Sequence, residues 1–396
     1  MPISKKLGET MERSSWIRRM FDEGTELKQR LGAENVFDFT LGNPVSEPPQ
    51  EVEKELLRLV GERRPGAHRY MPNAGYPETR AKVAEHVSRE SGSDLTQDHV
   101  IMTCGAGGAL NVILKALLDP GDEVVITAPY FAEYLFYADN HQGVTRIAQT
   151  GKDFQLDIAG LERAMGPKTR VLLLNSPNNP CGAIYPEEAL RQVGELLEDV
   201  SRRNGRPVYL VMDEPYRKLV YDGLTVPHVF RLYRRSIVAT SHSKDLCLPG
   251  ERIGYIAINP ENDRADMLFD AMTLANRILG FVNAPALFQR LVAGLQDIHP
   301  DMSVYEKNRE ILAGGLSRIG YCVVKPSGGF YIFAKSPVEN EMEIVDALRK
   351  RNVLVVPGSG FGRSGHFRIA FCVEPEVCEK ALPGFEAAFD DVSRGD

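Results

Sequence analysis

Short, almost uninterrupted apolar runs alternate with helical patterns from about residue 95 onward, and this alternation most constrains the fold. HVIMTC precedes a glycine-rich turn and the helical ALNVILKALL. DEVVITAP, TRVLLLNSP, PVYLVMDEP, RSIVATS and RIGYIAINP read as further strands, and PEEALRQVGELLEDVSRR as a helix with Pro186 in its first turn. Strands apolar at every position, not every second one, belong in a mostly parallel sheet covered on both faces. The expected fold is therefore α/β. After roughly residue 286 the character changes to α+β. Helical LFQRLVAGL and VYEKNREILAGGL lead into the short runs YCVVKP, GFYIFAK, VLVVPG and FRIAFCV, which suggests a second, smaller domain. Upstream, Trp16, Ile17, Met20, Phe21, Leu27 and Leu31 recur at near-helical spacing between Ser14 and Leu31. They predict an amphipathic arm packed on another element. Glu51 to Val60 predicts a helix.

In a doubly wound sheet, ligands bind beyond the carboxyl ends of the strands. The residues at those ends carry chemistry. After HVIMT stands Cys104-Gly105-Ala106-Gly107-Gly108, opening a helix. Such a turn suits a dinucleotide, a single phosphate or nothing beyond a tight strand-to-helix connection. After TRVLLLN come two prolines and the amides of Asn178 and Asn179. After PVYLVM come Asp213 and, three residues on, Tyr216. An acid ending a buried strand is costly unless a charge meets it. After SIVAT come Ser241, His242, Ser243 and Lys244, with Arg252 eight residues beyond the lysine. A partly desolvated lysine can be neutral and nucleophilic, as Schiff-base chemistry requires. Arg368, inside the apolar run of GHFRIAF, calls for an anionic partner. Together these residues describe a site for a phosphorylated aldehyde bearing a ring nitrogen.

Composition narrows the remaining classes. The 47 Lys and Arg against 54 Asp and Glu give a net charge of −7, which argues against a nucleic-acid binder. No apolar run reaches the 18 or more residues of a spanning helix, and the N-terminal stretch shows no hydrophobic signal region. The six cysteines form no CxxC pair and the eight histidines no HExxH cluster. A cytoplasmic protein without a structural metal is expected.

SHSKDLCLPGERIG, NSPNNPCG and MDEPY resemble, in order, the S-x-S/T-K lysine signature with R-x-G, the NPxNPTG loop and the DExY strand end of the class I/II aminotransferases. These are fold-type I, aspartate-aminotransferase-like enzymes that use pyridoxal 5′-phosphate, and the resemblance runs over nearly the whole chain. It implies that Lys244 forms the Schiff base with the cofactor and later shuttles the proton. It also implies that Asp213 pairs with the protonated ring nitrogen and that Asn179 and Tyr216 reach the ring oxygen. The Ala106 and Gly107 N–H groups, Ser241 and Arg252 would hold the phosphate. Phe131 would stack on the ring, with Tyr130 as the alternative. Tyr70 would reach the partner subunit's phosphate, which implies a homodimer with shared sites. Gly42, Asn179 and Arg368 would bind the substrate carboxylate. The reaction implied moves an amino group from an α-amino acid to a 2-oxo acid, ping-pong, through an aldimine and a ketimine.

Three departures stand out. Cys181 replaces the loop threonine, Ala106 and Gly108 stand where many relatives carry a hydroxyl, and Ile278 holds the place of a second, dicarboxylate-reading arginine, with Arg277 beside it. Alternatives on the same scaffold are a lyase, of the 1-aminocyclopropane-1-carboxylate synthase or C–S lyase kind, and an effector-binding module of a transcription regulator. A nicotinamide-dependent dehydrogenase would leave the lysine signature unexplained. The expected division is an arm at 1–45, a large cofactor domain at 46–285, and a small domain at 286–396 that the arm joins.

Overall fold

The computed structural model describes residues 2–8, 11, 24 and 26–393. Trp16, Ile17, Met20 and Phe21 of the expected arm lie outside the described residues. The strands among the described residues are β1 (Phe37–Asp38), β2 (Val100–Thr103), β3 (Glu123–Ala128), β4 (Val144–Gln149), β5 (Thr169–Asn175), β6 (Tyr209–Asp213), β7 (Ser236–Ser241), β8 (Gly254–Ile258), β9 (Tyr331–Lys335), β10 (Val353–Leu354), β11 (Val356–Pro357) and β12 (His366–Ala370).

Seven of them form one sheet in the order β2-β8-β7-β6-β5-β3-β4. All run parallel except β8, which is antiparallel to β2 and β7. Their apolar runs are continuous because both faces are covered. Val124, Ile126, Val171, Leu173 and Val211 point into one core, against the helices Gly105–Leu117 and Ala265–Ile278. Val125, Leu172, Leu174, Leu210 and Met212 point into the other, against Pro77–Ser91 and Glu187–Asn204. The edge strand β4 escaped the sequence reading. Val144 and Ile147 are exposed there, so it lacks the continuous apolar pattern of its neighbours.

A second core gathers around the antiparallel sheet β11-β12-β9 and the helices Ser303–Ile319 and Pro375–Ser393. β1 joins it by pairing with β10, and Phe39 is buried within it. Two expectations fail here. YCVVKP is not a strand: its tie to β9 is a bond from Lys335 N to Cys322 O (3.0 Å), and Pro326 offers no N–H to a ladder. The helix Ala286–Ala293, expected with the C-terminal segment, packs instead on the large sheet's core through Leu287, Phe288, Leu291 and Val292.

The antiparallel β8 begins at the edge where its neighbours end. Its first residue, Gly254, lies where a Cβ would fall against Thr240 O and come within 3.0 Å of the Gly105 carbonyl carbon. Gly254→Ala is expected to push the β8 start away from the glycine turn and to cost about 1–3 kcal/mol. A thermal melt checks it: a Tm equal to that of the unaltered chain would contradict this close approach.

Candidate active site

The carboxyl ends of β2, β3, β5, β6 and β7 and the start of β8 converge on one edge of the sheet. The helix Gly105–Leu117 starts directly after β2, and Gly105 has φ +69°, a conformation that favours glycine. A Cβ there would sit 2.8 Å from the Arg252 Nη2, so the guanidinium lies against the helix N-terminus. The Ser241 Oγ donates to the Ser243 Oγ at 3.1 Å beside them. Backbone N–H groups, hydroxyls and one guanidinium in this arrangement suit a phosphate.

Lys244 follows three residues after β7. Its Nζ donates to the Gly42 carbonyl at 2.5 Å and lies 5.3 Å from the Phe330 ring centroid. Burial lowers its pKa from 10.5 to about 8, opposed by Cys372 and Cys247 and reinforced by Arg252 and Arg368. Asp213 ends β6. Burial raises its carboxyl to about 7, while the hydrogen bond from Tyr134 Oη to Oδ2 (2.5 Å) pulls it down. Its Oδ1 is buried and has no hydrogen-bond partner among the described residues. An orphan carboxylate oxygen is costly, and a cationic N–H is the partner that removes the cost.

Arg368 stands on β12 between β11 and β9. Phe367 and Ile369 face the core there, so Arg368 points to the opposite side, into the site. It donates to Asn179 Oδ1 (3.1 Å) and to the Thr40 carbonyl (2.5 Å), and its Nε has no partner among the described residues. Its guanidinium lies between the rings of Tyr331 (4.9 Å) and Phe361 (4.7 Å). Burial lowers its pKa. The Tyr216 hydroxyl lies 2.9 Å from that of Tyr331, and burial raises its pKa well above the usual value.

Thus Lys244 meets Gly42 and Arg368 meets Asn179, and Gly105, Arg252 and Ser241 gather at the same edge. Ala106 and Gly107 occupy the first turn of the adjoining helix. Phe131 meets Tyr134 edge-on at 5.6 Å. The Tyr130 N–H donates to the Phe361 carbonyl at 3.1 Å, and its ring lies against Gly362. Tyr70 is 90% exposed, and Arg277 is exposed on the helix Ala265–Ile278. Cys181 is buried, and its thiol lies 3.0 Å from Asn178 Oδ1, a bond the hydroxyl of a threonine could also make. The sequence reading missed Tyr134, Tyr331, Phe361 and Asn175. Asn175 donates to the Asp213 carbonyl (2.8 Å) and accepts from Asn179 N (2.7 Å), so it ties the asparagine loop to β6. The one available signal was Tyr134, a helical turn past Phe131.

The family model for aminotransferase class I and II matches residues 34–385, and the chain belongs to that family. It is a pyridoxal-phosphate-dependent aminotransferase, acting on an amino acid and a 2-oxo acid. A protein of Thermus aquaticus named "Probable aspartate/prephenate aminotransferase" is 35% identical over 369 residues, 91% of this chain and 94% of that one. The crystal structure of an aminotransferase from Eubacterium rectale superposes with a TM-score of 0.95 at 36% identity, covering 99% of each chain. The aspartate aminotransferase of Thermus thermophilus with maleate gives 0.84 at 29% identity, covering 94% of this chain and 96% of that one. These likenesses do not favour the lyase alternative.

Two outcomes are expected from this geometry. Only a neutral amine attacks an aldehyde, so if Lys244 is the amine that bonds the cofactor, attachment should speed up as pH rises through about 8 and then level off. Stopped-flow absorbance checks this, and a rate still climbing toward 10.5, the ordinary lysine value, would contradict it. Arg368→Ala should cost about 2–5 kcal/mol of substrate binding, a KM rise of tens-fold or more. The visible cofactor band should survive in that variant, and its loss would contradict the assignment.

Proposed function

We propose that the chain transfers the amino group of an acidic α-amino acid, aspartate first, to a 2-oxo acid by a ping-pong route, and that the residues at the sheet edge perform it. The observation that carries this reading is the buried Asp213 Oδ1, without a partner among the described residues, on the strand next to the one that leads to a half-buried lysine of lowered pKa. The choice of aspartate is supported by the printed names of the relatives.

Bound pyridoxal phosphate supplies an electron sink for the pair left behind when the substrate loses its Cα proton. The chain does the rest. Asp213 keeps a proton on the ring nitrogen, and Tyr134 and Asn175 fix its orientation. Asn179 and Tyr216 offer hydrogen bonds to the ring oxygen. Phe131 covers the ring face. The N–H groups of Ala106 and Gly107, the Ser241 hydroxyl and the Arg252 guanidinium hold the phosphate. Arg368, with Asn179 and the Gly42 backbone, grips the α-carboxylate and sets Cα within reach of Lys244. The Lys244 Nζ takes the Cα proton and returns one to the cofactor side of the same bond system, work suited to a base with a pKa near 8.

The two cores are read as two domains. Phe37, Phe39 and Val45 at the end of the arm join the smaller one, which is read as beginning after Ile298, because the helix Ala286–Ala293 packs in the larger core. Arg368 stands in the small domain and Lys244 in the large one, so a bound carboxylate would favour closure and exclude water. Tyr70 has no part in its own chain's site and is exposed, which supports a homodimer in which it reaches the partner's phosphate. Among the described residues no helix is long and apolar enough to cross a membrane, and the six free thiols fit a cytoplasmic setting.

Mixing the protein with single amino acids, without any 2-oxo acid, tests the reading. Aspartate should convert the yellow form to the pyridoxamine form and release one oxaloacetate per site. Ammonia release with the yellow form restored would contradict it.

A further inference from the structure

Asp213 and Lys244 are each followed by a buried acid, and both acids meet cations that are neighbours in sequence. Glu214, 1% exposed, accepts from Arg217 Nη1 at 3.1 Å. Asp245 is buried, and its Oδ2 lies 3.5 Å from the Lys218 Nζ and 3.1 Å from His242 Nδ1. Strand alternation sends Asp213 toward the cofactor site and Glu214 to the opposite face.

The surroundings lock both ends. Glu214 N donates to the Ala239 carbonyl (2.9 Å), and the Thr240 hydroxyl donates to the Glu214 carbonyl (3.0 Å), which fixes the end of β6 against β7. Arg217 reaches Glu90 at 3.0 Å and the Val226 carbonyl at 3.0 Å. Lys218 also donates to the carbonyls of Gln296 and Ile298, the latter at 3.0 Å. His242 meets Gln296 through its other ring nitrogen (3.3 Å). The second Asp245 oxygen accepts from Leu246 N (2.8 Å), so both carboxylate oxygens are engaged. These side chains line one small cavity behind the sheet edge.

We propose that Arg217 and Lys218 act as a two-pronged clamp that sets Asp213 relative to Lys244 by holding the acids Glu214 and Asp245. Lys218 and Asp245 are positioning residues in this proposal, since they meet each other and their neighbours behind the sheet edge and act through Lys244. The clamp rests on the reading that Asp213 and Lys244 carry the reaction. A cation-to-acid pair taken out of water is held in place by its attraction, and losing one member leaves the other charge unmet. The chain carrying it then relaxes, and shifts of about 1 Å at a reacting group cost on the order of a hundredfold in rate.

The test uses the full-length, cofactor-loaded enzyme. Asp245→Asn keeps the size and removes the charge, Lys218→Met removes the cation, and Lys218→Arg restores it. For the first two, kcat per bound cofactor should fall about ten- to a hundredfold at nearly unchanged KM, because Arg368 is untouched. The pH midpoint of the visible band should also move. The double variant should be no worse than either single one, and Lys218→Arg should recover most of the activity. If the variants keep kcat and the band midpoint while only Tm falls, the pairs are merely structural and the clamp is overturned. Should Lys218→Met fail to fold, the isosteric Asp245→Asn decides alone. Lys244→Ala separates the two readings. Cofactor still fixed to the chain by borohydride in that variant would sink the assignment of Lys244, whereas lost fixation with normal clamp variants would sink the clamp only.

Discussion

Everything at this site follows from placing charged groups out of water at one edge of a buried sheet. Asp213 ends β6 and is buried, and Lys244 stands three residues past the end of the adjacent parallel strand β7, half-buried, so both are drawn away from bulk solvent. Burial drives their two pKa values toward each other, to about 7 and about 8. An acid and a base poised near neutrality suit proton movement. The cost of desolvation is offset where Tyr134 meets one Asp213 oxygen, where the Gly42 carbonyl accepts from Lys244, and where a cationic ring would meet the oxygen left over.

Sheet topology supplies the remainder. A single antiparallel strand, β8, brings Arg252 to the edge where the parallel strands deposit their loops. The second core brings Arg368 from the other side, held between two rings and against Thr40 of the N-terminal segment. The site is therefore assembled from three parts of the chain far apart in sequence. Its central links are single hydrogen bonds, such as the one from Arg368 to Asn179.

The strands and the lysine loop were legible in the sequence because strands buried on both faces need unbroken apolar runs, and polar residues ending such runs stand out. Arg368 was legible for the same reason. Tyr331, Phe361 and Tyr134 were not, since an aromatic residue in an apolar context reads as core until its hydroxyl or face is seen against a charge. Nothing in the sequence distinguishes Arg217 and Lys218 from a solvated basic pair. The helix Ala286–Ala293 was misassigned because its apolar face is the same whichever core receives it. YCVVKP was misread because apolar, β-branched composition does not by itself supply a pairing partner.

The central claim is that Lys244 is the amine that bonds the cofactor. Borohydride reduction in the presence of pyridoxal phosphate, followed by peptide mass mapping, tests it most directly. The account predicts one cofactor mass per chain, on the peptide carrying Lys244, at a pH near 8. A label on another lysine, or a label spread over surface lysines with Lys244 unmodified, would contradict it.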